Sequence, residues 1–162
     1  MRRRKPELPA DPADPQAVRL AALRLLNRRD HAMAELSARL TGAGFAPAAV
    51  TAAVAALAGE RLVDDGRYAE HFVAYHAARG HGPVLIAHRL REAGVARGVI
   101  ATAVAEREPA WRRRCGEVRR RRFGASPPAN WKERARQARF LTQRGFNADQ
   151  VRAAVGSDQD GE

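Results

Sequence analysis

The sequence predicts an all-α protein made of three tandem three-helix repeats of about 50 residues each, stacked into an elongated curved rod. Three observations carry that expectation. The segment Arg39-Leu40-Thr41-Gly42-Ala43-Gly44-Phe45 lines up with Arg89-Leu90-Arg91-Glu92-Ala93-Gly94-Val95 and with Phe140-Leu141-Thr142-Gln143-Arg144-Gly145-Phe146, with 50 residues from Gly44 to Gly94 and 51 from Gly94 to Gly145. Behind each glycine comes an apolar pair four apart, Val50 and Val54, Ile100 and Val104, Val151 and Val155, which is helical spacing. The 162 residues are 45% hydrophobic but only 6% aromatic, and the apolar share is dominated by Ala. That mixture favours closely packed helices over β-layers.

Taken in order, residues 1–15 read as a disordered tail, basic at its start and then rich in Pro. The first repeat, 16–62, opens on a helix carrying Val18, Leu20, Leu23, Leu25 and Leu26. It continues through the segment ending at Gly44, where a glycine in the left-handed region stops a helix and the apolar residue behind it packs back. The second repeat, 63–108, starts with Asp64 and Asp65 directly before Arg67, where acids cap a helix and offset its dipole. Its first helix carries Tyr68, Phe72, Val73 and Tyr75, and Gly80-His81-Gly82-Pro83 then makes a turn with Pro83 in the first turn of the next helix. The third repeat, 109–156, puts Trp111, Cys115 and Val118 on one apolar stripe, and Ser126-Pro127-Pro128-Ala129-Asn130 leads to another helix with Asn130 as its cap. Residues 157–162 form an acidic tail. A unit of this size buries little by itself, so the repeats are expected to lean on their neighbours and offer a long concave face. Such a face suits a polymer or another protein better than a small molecule.

The net charge is +11, from 29 Lys+Arg and 18 Asp+Glu, and it is unevenly placed. Residues 1–62 carry +4, 63–108 are neutral, 109–156 carry +10 and the tail −3. Nearly all of the cations are arginine, whose planar fork suits bidentate contact with phosphate or carboxylate. Arg112, Arg113 and Arg114 recur seven residues later as Arg119, Arg120 and Arg121, followed by Arg122, while Lys132, Arg136, Arg139 and Gln143 make one stripe on the next helix and Arg144 lies at its end. Two basic helices side by side make a patch for nucleic-acid backbone or an acidic protein groove. No aromatic residues interleave the arginines, so base stacking is not expected.

Catalytic constellations are missing from the sequence. It holds no phosphate-cradling Gly loop, dinucleotide fingerprint, zinc helix or nucleophile elbow. His76, His81 and His88 lack a Cys or carboxylate to complete a metal set, and Cys115 reads as a buried structural thiol. Neither a cofactor, a metal nor a small-molecule substrate is expected. With one cysteine and no apolar segment behind Met1-Arg2-Arg3-Arg4-Lys5, neither a disulfide nor an export signal is expected, and the cytoplasm is the simplest location. The 19 uncharged residues from Thr41 to Gly59 reach the length of a membrane span, but Gly42, Gly44 and Pro47 interrupt them, so no membrane association is expected.

Four segments resemble, in order, the RecX family of bacterial recombinase regulators. They are Ala22 to Phe45; Leu62-Val63-Asp64-Asp65-Gly66-Arg67-Tyr68-Ala69-Glu70-His71-Phe72-Val73; Gly80 to Val95 with its Gly-x-Gly-Pro opening; and Arg134 to Phe146. The resemblance spans nearly the whole chain outside the tails. It implies three tandem three-helix modules and a non-enzymatic protein that lies in the groove or at the end of the RecA nucleoprotein filament. Such a protein would inhibit filament extension, ATP hydrolysis, strand exchange and co-protease activity, and so modulate homologous recombination, DNA repair and the SOS response. The implied partners are recombinase and the backbone of single- and double-stranded DNA, with the chain acting as a monomer. The motif residues Asp64, Asp65, Arg67, Tyr68, Phe72, Gly82 and Pro83 would be structural. The family usually has basic residues where this chain has His76 and Leu85. A free-standing helical DNA-binding module or transcription regulator is the alternative from another class.

Overall fold

The computed structural model describes residues 8–105 and 107–156. Among the described residues all regular structure is helical: α1 (Pro15–Leu26), α2 (Met33–Gly42), α3 (Pro47–Gly59), α4 (Asp65–Ala78), α5 (Pro83–Glu92), α6 (Arg97–Ala105), α7 (Glu108–Phe123), α8 (Trp131–Gln143) and α9 (Ala148–Val155). They fall into three successive triplets, α1–α3, α4–α6 and α7–α9, as the repeat predicts. The tail expectations for 1–7 and 157–162 lie outside the described residues.

The helices start where local chemistry supplies the missing acceptors. Asp14 accepts from Gln16 N–H at 2.9 Å ahead of Pro15, and Asn130 accepts from Glu133 N–H at 2.9 Å. At α9, Asn147 and Gln150 form a reciprocal capping box. Residues 8–14, expected in a disordered tail, are instead held on the first repeat, where Ala46 N–H donates to the Pro12 carbonyl at 2.8 Å. Two residues counted in the apolar patterns also turn outward: Leu20 is 50% exposed and Tyr75 is 54% exposed.

The chain divides into two compact units by contact, one of residues 8–68 with 93–95, the other of 69–92 with 96–156. In the first, Val18, Ala22, Leu36, Leu40, Val50, Val54, Leu57 and Val63 form the core. Each fully buried leucine among them contributes ~1.5–3 kcal/mol. In the second, Trp111, Cys115, Ile86, Leu90, Val73 and Leu141 are fully buried. The Trp111 indole N–H, which would be costly to bury alone, donates to the Val104 carbonyl at 3.2 Å.

One joint recurs. In the second unit, the end of α8 sits on the start of α5: Gly82 N–H donates to the Arg144 carbonyl at 2.7 Å and Val84 N–H donates to the Gly145 carbonyl at 2.9 Å. Donors that α5 cannot satisfy itself thus meet carbonyls that α8 has released. This needs bare backbone on both sides. A Cβ on Gly82 would stand 2.5 Å from Phe146 N, and one on Gly145, whose φ is +90°, would stand 2.6 Å from Leu85 N. In the first unit the corresponding Gly94 faces the first turn of α2, where an added Cβ would lie 2.5 Å from Ala34 Cβ. Gly44 meets Leu8 and Pro9 in the same way.

Gly82→Ala is expected to lose about 1–3 kcal/mol by overpacking, and Gly145→Ala more, because its left-handed backbone adds a further ~1–2 kcal/mol. Gly116→Ala, inside α7 and facing only the flexible end of Arg120, is expected to gain up to about 1 kcal/mol. Urea unfolding of the three variants measures the contrast.

Candidate nucleic-acid interface

The family-motif residues are largely bound up in the backbone. Asp64 accepts from Arg67 N–H at 3.0 Å as the cap of α4, and that N–H holds the Asp64 carboxyl below its usual range. Asp65 accepts from Met33 N–H at 2.8 Å, so its carboxylate caps α2, whose own preceding residue, Ala32, offers no side-chain acceptor. The Arg67 guanidinium donates to the carbonyls of Arg61, at 3.2 Å, and Leu62, at 3.4 Å, and clasps the turn between α3 and α4. Tyr68 is half-buried, and the Phe72 ring lies 4.2 Å from the His76 ring. Gly82 and Pro83 are buried in the joint described above.

The arginines of the third repeat separate into two sets. Arg119 was expected in the basic patch; it is 5% exposed and lies inside. Its Nε donates to Gln137 Oε1 at 2.9 Å and its Nη2 donates to the Ser126 carbonyl. The reason is periodicity, since Trp111, Cys115 and Arg119 fall at successive steps of four on the buried stripe of α7. Gln137, four residues before the buried Leu141 on α8, supplies the acceptor. Arg119 therefore ties α7, α8 and the intervening loop together.

The remaining set faces outward. Arg112, Arg113, Arg120, Arg121, Arg122, Lys132, Arg136 and Arg139 are exposed, while Arg114 and Arg144 are half-buried. Some are matched by acids: Arg113 stands 3.6 Å from Glu117 and Arg136 2.7 Å from Glu133. Arg120, Arg121 and Arg122 have no carboxylate partner among the described residues. They fill the last turn of α7, where the helix dipole offsets part of their mutual repulsion. The structure brings Arg121, Arg122 and Arg144 together around one cavity and adds Arg79, which the sequence reading did not single out. The signal was present in Tyr75 and Arg79 at helical spacing of four, and the Arg79 guanidinium sits 3.4 Å from the centre of the Tyr75 ring.

Among the described residues no group of three or more His, Cys, Asp or Glu is placed to hold a metal ion. His88 faces Glu92 at 3.4 Å, away from the other two. His76 Nδ1 lies 3.0 Å from His81 Nδ1 and 3.2 Å from Arg89 Nη1, a cation that works against a second one. Burial pushes the Cys115 thiol up to about 12, so no thiolate nucleophile is available there. No helix of the described residues is long and apolar enough to cross a membrane.

A tandem three-helix repeat protein whose last repeat carries unmatched arginines is the class that fold and surface define. Family models match all three triplets: the first three-helix domain of RecX over residues 19–57, the second over 64–104 and the third over 113–155. The chain is 51% identical over 148 residues to a protein named Regulatory protein RecX from Halorhodospira halophila, covering 91% of this chain and 92% of that one. It is 39% identical over 137 residues to the protein of the same name from Pseudomonas savastanoi pv. phaseolicola, covering 85% and 88%. The crystal structure of RecX from Lactobacillus salivarius shares the fold, with a TM-score of 0.78 at 17% identity over 88% of this chain and 94% of that one. The chain belongs to the RecX family of regulatory proteins, which are not enzymes.

Arg119→Ala is expected to lower stability by about 1.5–3 kcal/mol, the range for hydrogen bonds to a charged group, whereas Arg120→Ala leaves it within ~0.5 kcal/mol; thermal unfolding distinguishes them. His76 and His81 both titrate below 6.5, first because of burial and then because of Arg89, with Arg79 also facing both and Arg144 facing His81. Neutral rings are favoured in the folded chain, so their contribution is complete above the unfolded value of 6.5 and is lost as the pH falls through the folded values. The melting temperature should therefore drop on acidification below 6.5, and a His76→Gln/His81→Gln variant should show a shallower drop.

Proposed function

We propose that this protein binds the RecA nucleoprotein filament through the outward arginines of its third repeat and restrains filament growth and ATP hydrolysis, and with them strand exchange and co-protease activity. Family membership supports a regulator. The observation that carries the finer reading is the run Arg120, Arg121 and Arg122, exposed and unmatched by acid among the described residues on the C-terminal turn of α7. Such a surface attracts phosphate backbone or acidic protein over a Debye length of about 8–10 Å. It is held in place by the inward Arg119, so the same helix supplies both the scaffold and the contact. The protein acts in this reading by occupying its partner's surface in the cytoplasm, without chemistry of its own.

Purified chain added to preformed cognate RecA filaments on single-stranded DNA should inhibit ATP hydrolysis. Arg120→Ala/Arg121→Ala/Arg122→Ala, which leaves Arg119 intact, should raise the concentration for half-inhibition by at least about tenfold, the loss of some 1.4 kcal/mol. Absence of inhibition at any ratio would sink the filament reading, and strong selection for particular duplex sequences without recombinase would put a DNA-binding module in its place.

A further inference from the structure

We propose that the cavity between the α4–α5 turn, α7 and α8 is a phosphate-binding site in which Arg79, Arg121, Arg122 and Arg144 hold one phosphoryl group. It rests on the nucleic-acid side of the reading above and needs no recombinase. The cavity measures about 320 Å³ and is backed by Ala78, Val118 and Phe140. That is room for roughly ten water molecules, enough for a phosphoryl group and the solvent around it.

Charge balance is the first argument. Some arginines elsewhere find acids, among them Arg19 with Glu60, Arg29 with Glu35, Arg136 with Glu133 and Arg152 with Asp149, and others such as Arg24 and Arg139 stand singly in solvent; around this cavity four cations converge. None of the four cavity arginines has a carboxylate partner among the described residues. The acids nearest in sequence on α7 and α8, Glu117 and Glu133, are turned to Arg113 and Arg136. Four like charges around one concavity repel each other when it is empty, and an anion from outside relieves that repulsion.

The second argument is that the cations are held in place. Arg79 lies on the Tyr75 ring and donates from Nη1 to the Tyr75 carbonyl at 3.3 Å. Arg144 lies 5.6 Å from the centre of the Phe140 ring, and its Nε is buried with no hydrogen-bond partner. An unsatisfied buried donor is costly unless a ligand meets it or reorients its fork. At Gly80, where φ is +79°, the bare backbone lets the turn close against the cavity; a Cβ there would press on Val118 Cγ2 at 3.0 Å and lie 3.9 Å from Arg144 Nη2.

Phosphate fits better than a peptide carboxylate on donor count. One guanidinium fork already satisfies the two oxygens of a carboxylate. Forks arriving from a turn and two helices match the tetrahedral oxygens of a phosphoryl group. The source of that group is an internal backbone diester, a strand's terminal monoester or free pyrophosphate, all sharing this chemistry.

The test uses the full chain and labelled oligo(dT) without recombinase, followed by anisotropy across a salt series. Arg79→Gln/Arg144→Gln should weaken binding at least about tenfold and lower the salt slope by roughly 0.7 for each lost single-strand contact. Arg24→Gln, an exposed arginine on α1 that matches the charge change of Arg79→Gln alone, should alter binding less than about twofold, since only long-range charge is lost. Arg79→Gln alone, on an exposed side chain, serves if the double variant does not fold. Inorganic pyrophosphate should raise the melting temperature of the unaltered chain and not of the Arg79 variant. Preference for 5′-phosphorylated over 5′-hydroxyl oligo(dT) would assign the terminal monoester, and equal binding the internal diester; both support the site. A folded variant with an unchanged salt slope and the same loss as Arg24→Gln overturns it.

Discussion

The contact on which the rest of the third repeat's surface depends is the seating of bare backbone at Gly145 on bare backbone at Gly82. Two hydrogen bonds, from Gly82 N–H and Val84 N–H, tie the released carbonyls at the end of α8 to the free donors at the start of α5. Side chains would forbid this approach on either side. Because Arg144 immediately precedes Gly145, the same joint carries its guanidinium to the turn that holds Arg79. In the first unit Gly94 and Gly44 face side chains instead, Ala34 in one case and Leu8 and Pro9 in the other.

Charge in this protein is divided between holding and reaching. Arg67 and Arg119 spend their donors on backbone carbonyls and a buried amide, at the α3–α4 turn and the α7–α8 loop. A guanidinium so engaged fixes geometry, and removing the buried one, Arg119, would leave unpaired acceptors behind. Arg120, Arg121 and Arg122, on the same helix as Arg119, lie on the opposite side of that division. Their exposure and lack of acid make them available to a partner, while the end of the helix dipole lessens the cost of clustering them.

Much of this was legible along the chain. Three glycine-ended segments at nearly constant spacing show the triplets because a helix stop leaves a local mark, namely a left-handed glycine and an apolar residue that packs behind it. Capping by Asp64 and Asn130 was legible for the same reason. The Leu20 and Tyr75 side chains were misplaced because apolar character alone does not tell which side of a helix meets a neighbour. Arg119 carries two conflicting local signals, the charge of its neighbours and the spacing from Trp111 and Cys115 that puts it on the inward stripe; the acceptor on Gln137 lets the spacing prevail. The cap that Asp65 provides for α2 links residues 32 apart in sequence, beyond any local signal.

The sequence by itself determined the helical class, the three repeats and the concentration of arginine in the last of them. These follow from short-range rules, in which each residue's preference is expressed within a turn or two of its own position. Tertiary structure alone decided which arginines face solvent and which serve the core, and that Arg79 from the second repeat joins Arg121, Arg122 and Arg144 from the third. The gathering of those four depends on where α8 ends relative to α5, a distance set by backbone meeting backbone at two glycines far apart in the chain.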